Sequence, residues 1–186
     1  MNYRLQSIQE RFARKEKLKY VFFWGHTEKN DQVSKACFSQ WYPSVFKKDG
    51  ITYKTAEHFM MAEKARLFNN KEILEEILKS GHPKQAKDLG RRVTGFKNEI
   101  WDKEKFRIVS EANFLKFSQS KSLKQFLLNT NERVLVEASP NDKVWGIGMA
   151  QDNEHIENPY KWKGENLLGF ALMEVRDMLR NKNTEI

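Results

Sequence analysis

Cysteine is nearly absent: Cys37 stands alone among 186 residues, so no intrachain disulfide can form. Histidine is scarce too. His26, His58, His82 and His155 show no zinc-ligand spacing, and Glu57-His58 is a bare dipeptide rather than part of an H-E-x-x-H helix motif. These shortages predict a reducing compartment and no metal. Cys37 has no neighbouring His to activate it, which argues against a nucleophilic role. No Pro/Gly/Ser-rich linker, internal repeat or low-complexity tract breaks the chain, so no domain boundary is predicted. Long apolar runs are also missing. The stretch MNYRLQSIQERFARKEKLKY lacks the apolar core of a secretion signal, and no later run approaches bilayer length. A cytoplasmic protein without a membrane partner is expected.

Aromatic residues and positive charge are plentiful. Five Trp and thirteen Phe within 39% hydrophobic residues are enough for a packed core despite 31% charged residues. The formal charge of +8 favours anionic partners, whether nucleic acid, nucleotides or phosphorylated metabolites. Lys71, Lys79, Lys84, Lys87, Lys103 and Lys105 alternate with acidic residues and read as solvated helix faces.

Residues 1–19 read as a basic, amphipathic, helical extension, followed by one compact domain over 20–181. YVFFWG (20–25) reads as a buried strand. VFKKDGITY (45–53) reads as a hairpin, with Asp49-Gly50 supplying the positive backbone angles of its turn. Helices are predicted over 55–68, over 71–81 with Gly81 as the stop, from Pro83 to about Arg92, and over 98–117, 120–130 and 164–180. RVLVEAS (133–139) is a further strand. The predicted fold class is mainly α, or α+β with a few short strands.

The helix carrying Glu57 is apolar nearly all round. Glu57, Met61, Lys64 and Phe68 share one stripe. Such a helix is buried, and a buried carboxylate must find a partner or shift its pKa. Two readings stand: Glu57 pairs within the core, for instance with Lys64, or it serves a site. A second cluster, EASPNDKVWGIG (137–148), runs from a strand into a loop. Its glycines admit backbone near a ligand, Trp145 offers a flat face, and Asp142 a second carboxylate. The plainer reading makes Trp145 a core anchor and Asp142 a turn residue bonding its own backbone. Trp24, Trp41, Trp101, Trp145 and Trp162 are spread along the chain, so most are expected in packing, with one or two free to stack on a base.

Taken in order, FFWG (22–25), CFSQWYPSVF (37–46), DGITYKTAEHFMMAEKA (49–65), AKDLGRRV (86–93), the Trp101 region, FLKFSQ (114–119), LVEASPNDKVWGIG (135–148) and NLLGFALMEVR (166–176) resemble the NADAR (YbiA-like) family. The resemblance covers about residues 20–180, and Gln40 stands where that family more often has Asn. It implies an N-glycosidase, mainly helical, without metal or redox cofactor. By similarity Glu57 and Asp142 are the catalytic acids, and Trp101 the indole between them. Lys64, Lys116, Glu137, Trp145 and Asn166 fall in shared blocks and bind substrate or support the site. Trp101 or Trp145 would stack on the base, and Lys64, Arg91 or Lys116 would hold phosphate, with Arg suited to bidentate contact.

The implied substrates are phosphoribosylamino-pyrimidines of riboflavin synthesis or, alternatively, ADP-ribosylated guanine in nucleic acid. The second needs a basic track beside the cavity, which residues 1–19 are placed to supply. A non-catalytic nucleic-acid binder is the competing class. It lacks zinc-finger spacing and any RNP-like stretch. The oligomeric state is left open.

Overall fold

The computed structural model describes residues 3–28 and 32–184, with backbone alone for 182–184. Among these residues the fold is mainly α: seven α-helices, a short 3-10 turn and four short strands. The helices are α1 (Leu5–Ala13), α2 (Ala56–Leu67), α3 (Lys71–Lys79), α4 (Pro83–Arg91), α5 (Asn98–Ser118), α6 (Lys121–Leu128) and α7 (Leu167–Thr184). The strands are β1 (Tyr20–Phe23), β2 (Phe46–Lys48), β3 (Ile51–Tyr53) and β4 (Val134–Glu137), and the 3-10 turn spans Lys35–Phe38. No helix among the described residues is long and apolar enough to cross a membrane.

Helix α2 is the centre. Thr55 caps it, its side chain accepting from the amide of His58 at 3.3 Å. Both apolar and polar residues are enclosed, from Ala56 through Ala62 and again at Ala65, because α3, α4 and α5 surround the helix. Gly90 allows α4 to close on α2, since a Cβ there would collide with the sulfur of Met61. Phe59 packs against Phe46 and Tyr53 at ring separations of 6.0 and 4.9 Å, tying the β2–β3 hairpin to α2. Truncating Phe59 to Ala would cost about 3–5 kcal/mol. The hairpin turns on Asp49 and Gly50 with φ of 50° and 78°, as Asp-Gly predicts.

The other strands come from distant parts of the chain. β1 and β4 pair in parallel, Tyr20 opposite Val134 through Phe23 opposite Glu137. Amides of Val134 and Ala138 donate to the carbonyls of Lys19 and Phe23 at 2.8 Å, closing the two ends. On one side of β4, α7 packs so tightly that a Cβ at Gly169 would strike the carbonyl oxygen of Leu135. Asn166 takes up backbone groups of β4: its Oδ1 accepts from the Glu137 amide at 3.0 Å and its Nδ2 donates to the Leu135 carbonyl at 2.9 Å.

Three local expectations change. Helix α3 ends at Lys79, not Gly81; Ser80 turns extended and its hydroxyl donates to the Ile77 carbonyl at 2.7 Å, while Gly81 avoids the left-handed region. Helix α7 begins at Leu167, because the amides of Glu165, Asn166 and Leu167 donate to the carbonyls of Lys143, Gly146 and Val144. Among the described residues of the N-terminal segment Leu5–Ala13 alone is helical, and it docks on the body: Ile8 is fully buried, and the Tyr3 hydroxyl donates to Asp177 Oδ2 at 2.7 Å.

Candidate active site

β1 and β4 run parallel, so their C-terminal ends reach one edge together, and a cavity of about 660 Å³ opens there. The crevice beyond the C-terminal ends of parallel strands is a favoured place for ligands, since chains leaving those ends diverge. Here Trp24 and Gly25 leave β1, Glu137 ends β4, and the loop through Ser139, Asp142 and Trp145 follows. Helix α2 supplies Glu57, Met60, Met61 and Lys64, α4 supplies Lys87, Gly90 and Arg91, and α5 supplies Trp101.

Glu57 sits in the first turn of α2, where the helix dipole favours an anion. Burial wins nonetheless. Its side chain is 3% exposed, and Oε1 has no hydrogen-bond partner. Desolvation raises its pKa to about 7 against the pull of Lys87 and of a Trp41 hydrogen bond. Lys64, the expected ion-pair partner, turns away. Its Nζ donates to the Gly90 carbonyl at 2.8 Å and lies 4.3 Å from the Phe96 ring centre and 5.7 Å from that of Trp101.

Glu137 is a half-buried carboxyl whose Oε2 is shielded from solvent and unpartnered. Burial, then the charges of Asp142 and Glu57, push it up to about 8, with Lys87 opposing. Asp142 Oδ1 accepts from the amides of Val144 and Trp145 at 2.9 and 2.8 Å, which makes the turn, and the residue also lines the cavity, where its charge acts on both glutamates.

Of the residues expected at the site, Glu57, Asp142, Glu137, Lys64, Arg91, Trp101 and Trp145 come together around this cavity. Lys116 and Asn166 do not reach it. Lys116 is buried behind the wall, donating to the carbonyls of Cys37 and Ser39 at 2.6 and 2.9 Å, so its assignment as a phosphate holder is corrected to a brace. That brace fixes the turn presenting Gln40 and Trp41. Asn166 clamps β4, a supporting place. Cys37 is buried, and its thiol is pushed up to about 12, as an inert cysteine would be.

Sequence reasoning missed several lining residues. Lys87, whose charge pattern reads as a solvated face, lines the cavity. The signal was available, because Lys87, Gly90 and Arg91 stand at i, i+3 and i+4 on α4 and so share a face. Trp24 and Trp41 join Trp101 and Trp145, so four of the five indoles meet at one cavity, whereas dispersal along the chain had suggested packing roles. Gln40 also lines it, its Oε1 held by Asn113 Nδ2 at 2.8 Å.

The NADAR domain model matches residues 22–180. An N-glycosidase of Acanthamoeba polyphaga mimivirus is 46% identical over 166 residues, covering 86% of this chain and 95% of that protein. N-glycosidase YbiA of Escherichia coli is 34% identical over 142 residues, covering 76% and 80%. The solved NMR structure of E. coli YbiA superposes with a TM-score of 0.72 at 30% identity, covering 90% of this chain and 89% of that one. Relatives named N-glycosidases, matched over most of both chains, make this chain a hydrolase of N-glycosyl bonds. The chain belongs to the NADAR domain family.

Proposed function

We propose that the chain hydrolyses the N-glycosidic bond of a ribosyl compound carrying phosphate, of the phosphoribosylamino-pyrimidine type, in the cytoplasm. The observation that carries this reading is Glu57: an enclosed carboxyl with an unpartnered oxygen, at a cavity walled by indoles and flanked by cations. Breaking a ribosyl C–N bond develops positive charge on the sugar. A fixed carboxylate in a desolvated wall stabilises that charge more in the transition state than in the ground state. Glu57 fills this role and receives the proton of the attacking water. Asp142, fixed by two backbone donors, orients the ribose hydroxyls or the water. Trp101 or Trp145 takes the base, and Lys87 and Arg91 on α4, with Lys64 behind them, hold phosphate.

One observation favours a second reading, removal of ADP-ribose from guanine in nucleic acid. Trp24 at the cavity mouth is 58% exposed, a stacking face outside the enclosed space. The basic segment before β1 does not support that reading. It joins β1 at Tyr20, about 13 Å along the strand from the cavity end at 3.3 Å per residue.

The test is release of free base and sugar phosphate, followed by mass spectrometry, from phosphoribosylamino-pyrimidines, free NAD and ADP-ribosylated guanine oligonucleotides. Release from the first group supports the proposal, release from the oligonucleotides alone supports the second reading, and release from none contradicts both.

A further inference from the structure

The carboxyls at the cavity edge are equipped for opposite tasks. Asp142 Oδ1 accepts two backbone N–H groups, which commits that oxygen to accepting. Glu137 is held just as firmly, but through its backbone: its amide donates to Asn166 Oδ1 at 3.0 Å, and its carbonyl accepts from the Ile147 amide at 3.0 Å. Its carboxyl is left to the cavity, and no donor reaches Oε2. A carboxylate oxygen enclosed without a donor is costly, whereas a carboxylic acid there has a proton to give. The charged groups facing it are Asp142 from the following loop, Glu57 from α2 and Lys87 from α4. Two negative neighbours against one positive favour the neutral form, as burial does.

We propose that Glu137 is the general acid that protonates the leaving base, an inference that rests on the N-glycosidase reading above. The C–N bond breaks with its electron pair passing to the base nitrogen, which takes the proton of the Glu137 carboxyl. The ribosyl cation facing Glu57 is captured by the oxygen of water, whose proton passes to the Glu57 carboxylate. Transfer of that proton to the Glu137 carboxylate restores both groups, and the net change is addition of water across the C–N bond. The division of labour follows the geometry: Glu137 gives a proton, Glu57 takes one, and Asp142 positions.

The experiment compares two leaving groups on ribose 5-phosphate: the base that the wild-type protein releases, which departs only when protonated, and p-nitrophenolate, which departs without a proton. Glu137→Gln is expected to lose about 100- to 10,000-fold in kcat on the base substrate, the usual reach of general-acid catalysis, and at most about threefold on the nitrophenyl compound. Glu57→Gln is expected to fall on both. The wild-type pH profile should decline on its alkaline side near 8, where Glu137 loses its proton, and that limb should be missing with the nitrophenyl substrate. An equal loss on both substrates in folded E137Q, or no loss on either, overturns the proposal while leaving the N-glycosidase reading intact. An alkaline limb shared by both substrates counts against it independently of how the variant folds. Wild-type protein that releases neither base nor nitrophenolate overturns that reading and this proposal together.

Discussion

The two ends of the β1–β4 pair bury charge in opposite ways. At the N-terminal end Arg176 of α7 is fully buried, and its Nη1 donates to Thr130 Oγ1 at 2.9 Å and to the Arg133 carbonyl at 2.8 Å. Asp177 beside it takes the Tyr3 hydroxyl, so α1, α7 and the entry to β4 are stitched together. At the C-terminal end buried Glu57 and half-buried Glu137 each keep one shielded oxygen, Oε1 and Oε2 respectively, that no protein donor reaches. Buried polar groups in folded proteins are ordinarily paired, because an unpaired one costs about 1–3 kcal/mol. Arg176 Nε also lacks a hydrogen-bond partner, with Asp177 Oδ1 at 4.0 Å, so what separates the two ends is the cavity: the unpartnered carboxyls of the second end line an open space, and Arg176 does not. The first end therefore reads as structure, and the second as a site.

The largest effect that could break this contrast is at Glu57. Glu57→Gln should lower kcat about 100- to 1,000-fold, the loss seen when one preorganised electrostatic group is removed, with substrate affinity little changed. Steady-state kinetics and calorimetric binding check both halves. At the other end Arg176→Met should cost about 1–3 kcal/mol, leaving the Thr130 hydroxyl and the Arg133 carbonyl without their donor. That corresponds to a melting temperature lower by about 2–12 °C, with turnover per folded molecule unchanged. Lys87→Met sharpens the picture of the cation wall. Losing a charged hydrogen bond to phosphate should raise KM about 10- to 100-fold with kcat little affected. The smallest effect is a stability gain. Glu57 titrates at about 7 in the fold against 4.5 in the unfolded chain, so the stability of its protonated form is fully present below 4.5 and lost as pH rises through 7. E57Q should therefore melt above wild type at pH 9, and the gain should vanish near pH 4.5 when followed by thermal denaturation.

Part of this contrast was legible in the sequence and part was not. The all-round apolar pattern from Ala56 to Ala65 predicted the buried helix, and so a carboxyl at Glu57 in need of a role. Asp49-Gly50, Thr55 and Pro83 marked their turn and helix starts because each acts through local backbone geometry. The pairing of β1 with β4 was not legible. More than a hundred residues separate them, and periodicity carries no information about which distant strand is the neighbour. Glu137 was reached only through resemblance, since its burial depends on that pairing. Lys116 misled for a related reason: a lysine is normally solvated, and only the folded structure shows its ammonium held by two backbone carbonyls. The convergence of four indoles is likewise a property of topology, not of spacing.

The most direct test of the central claim is one assay of wild type, E57Q and R176M on a phosphoribosylamino-pyrimidine, with base release normalised to folded protein by near-ultraviolet circular dichroism. The account predicts that R176M matches wild type per folded molecule while E57Q falls at least about 100-fold. Base release by folded E57Q at the wild-type rate would contradict it.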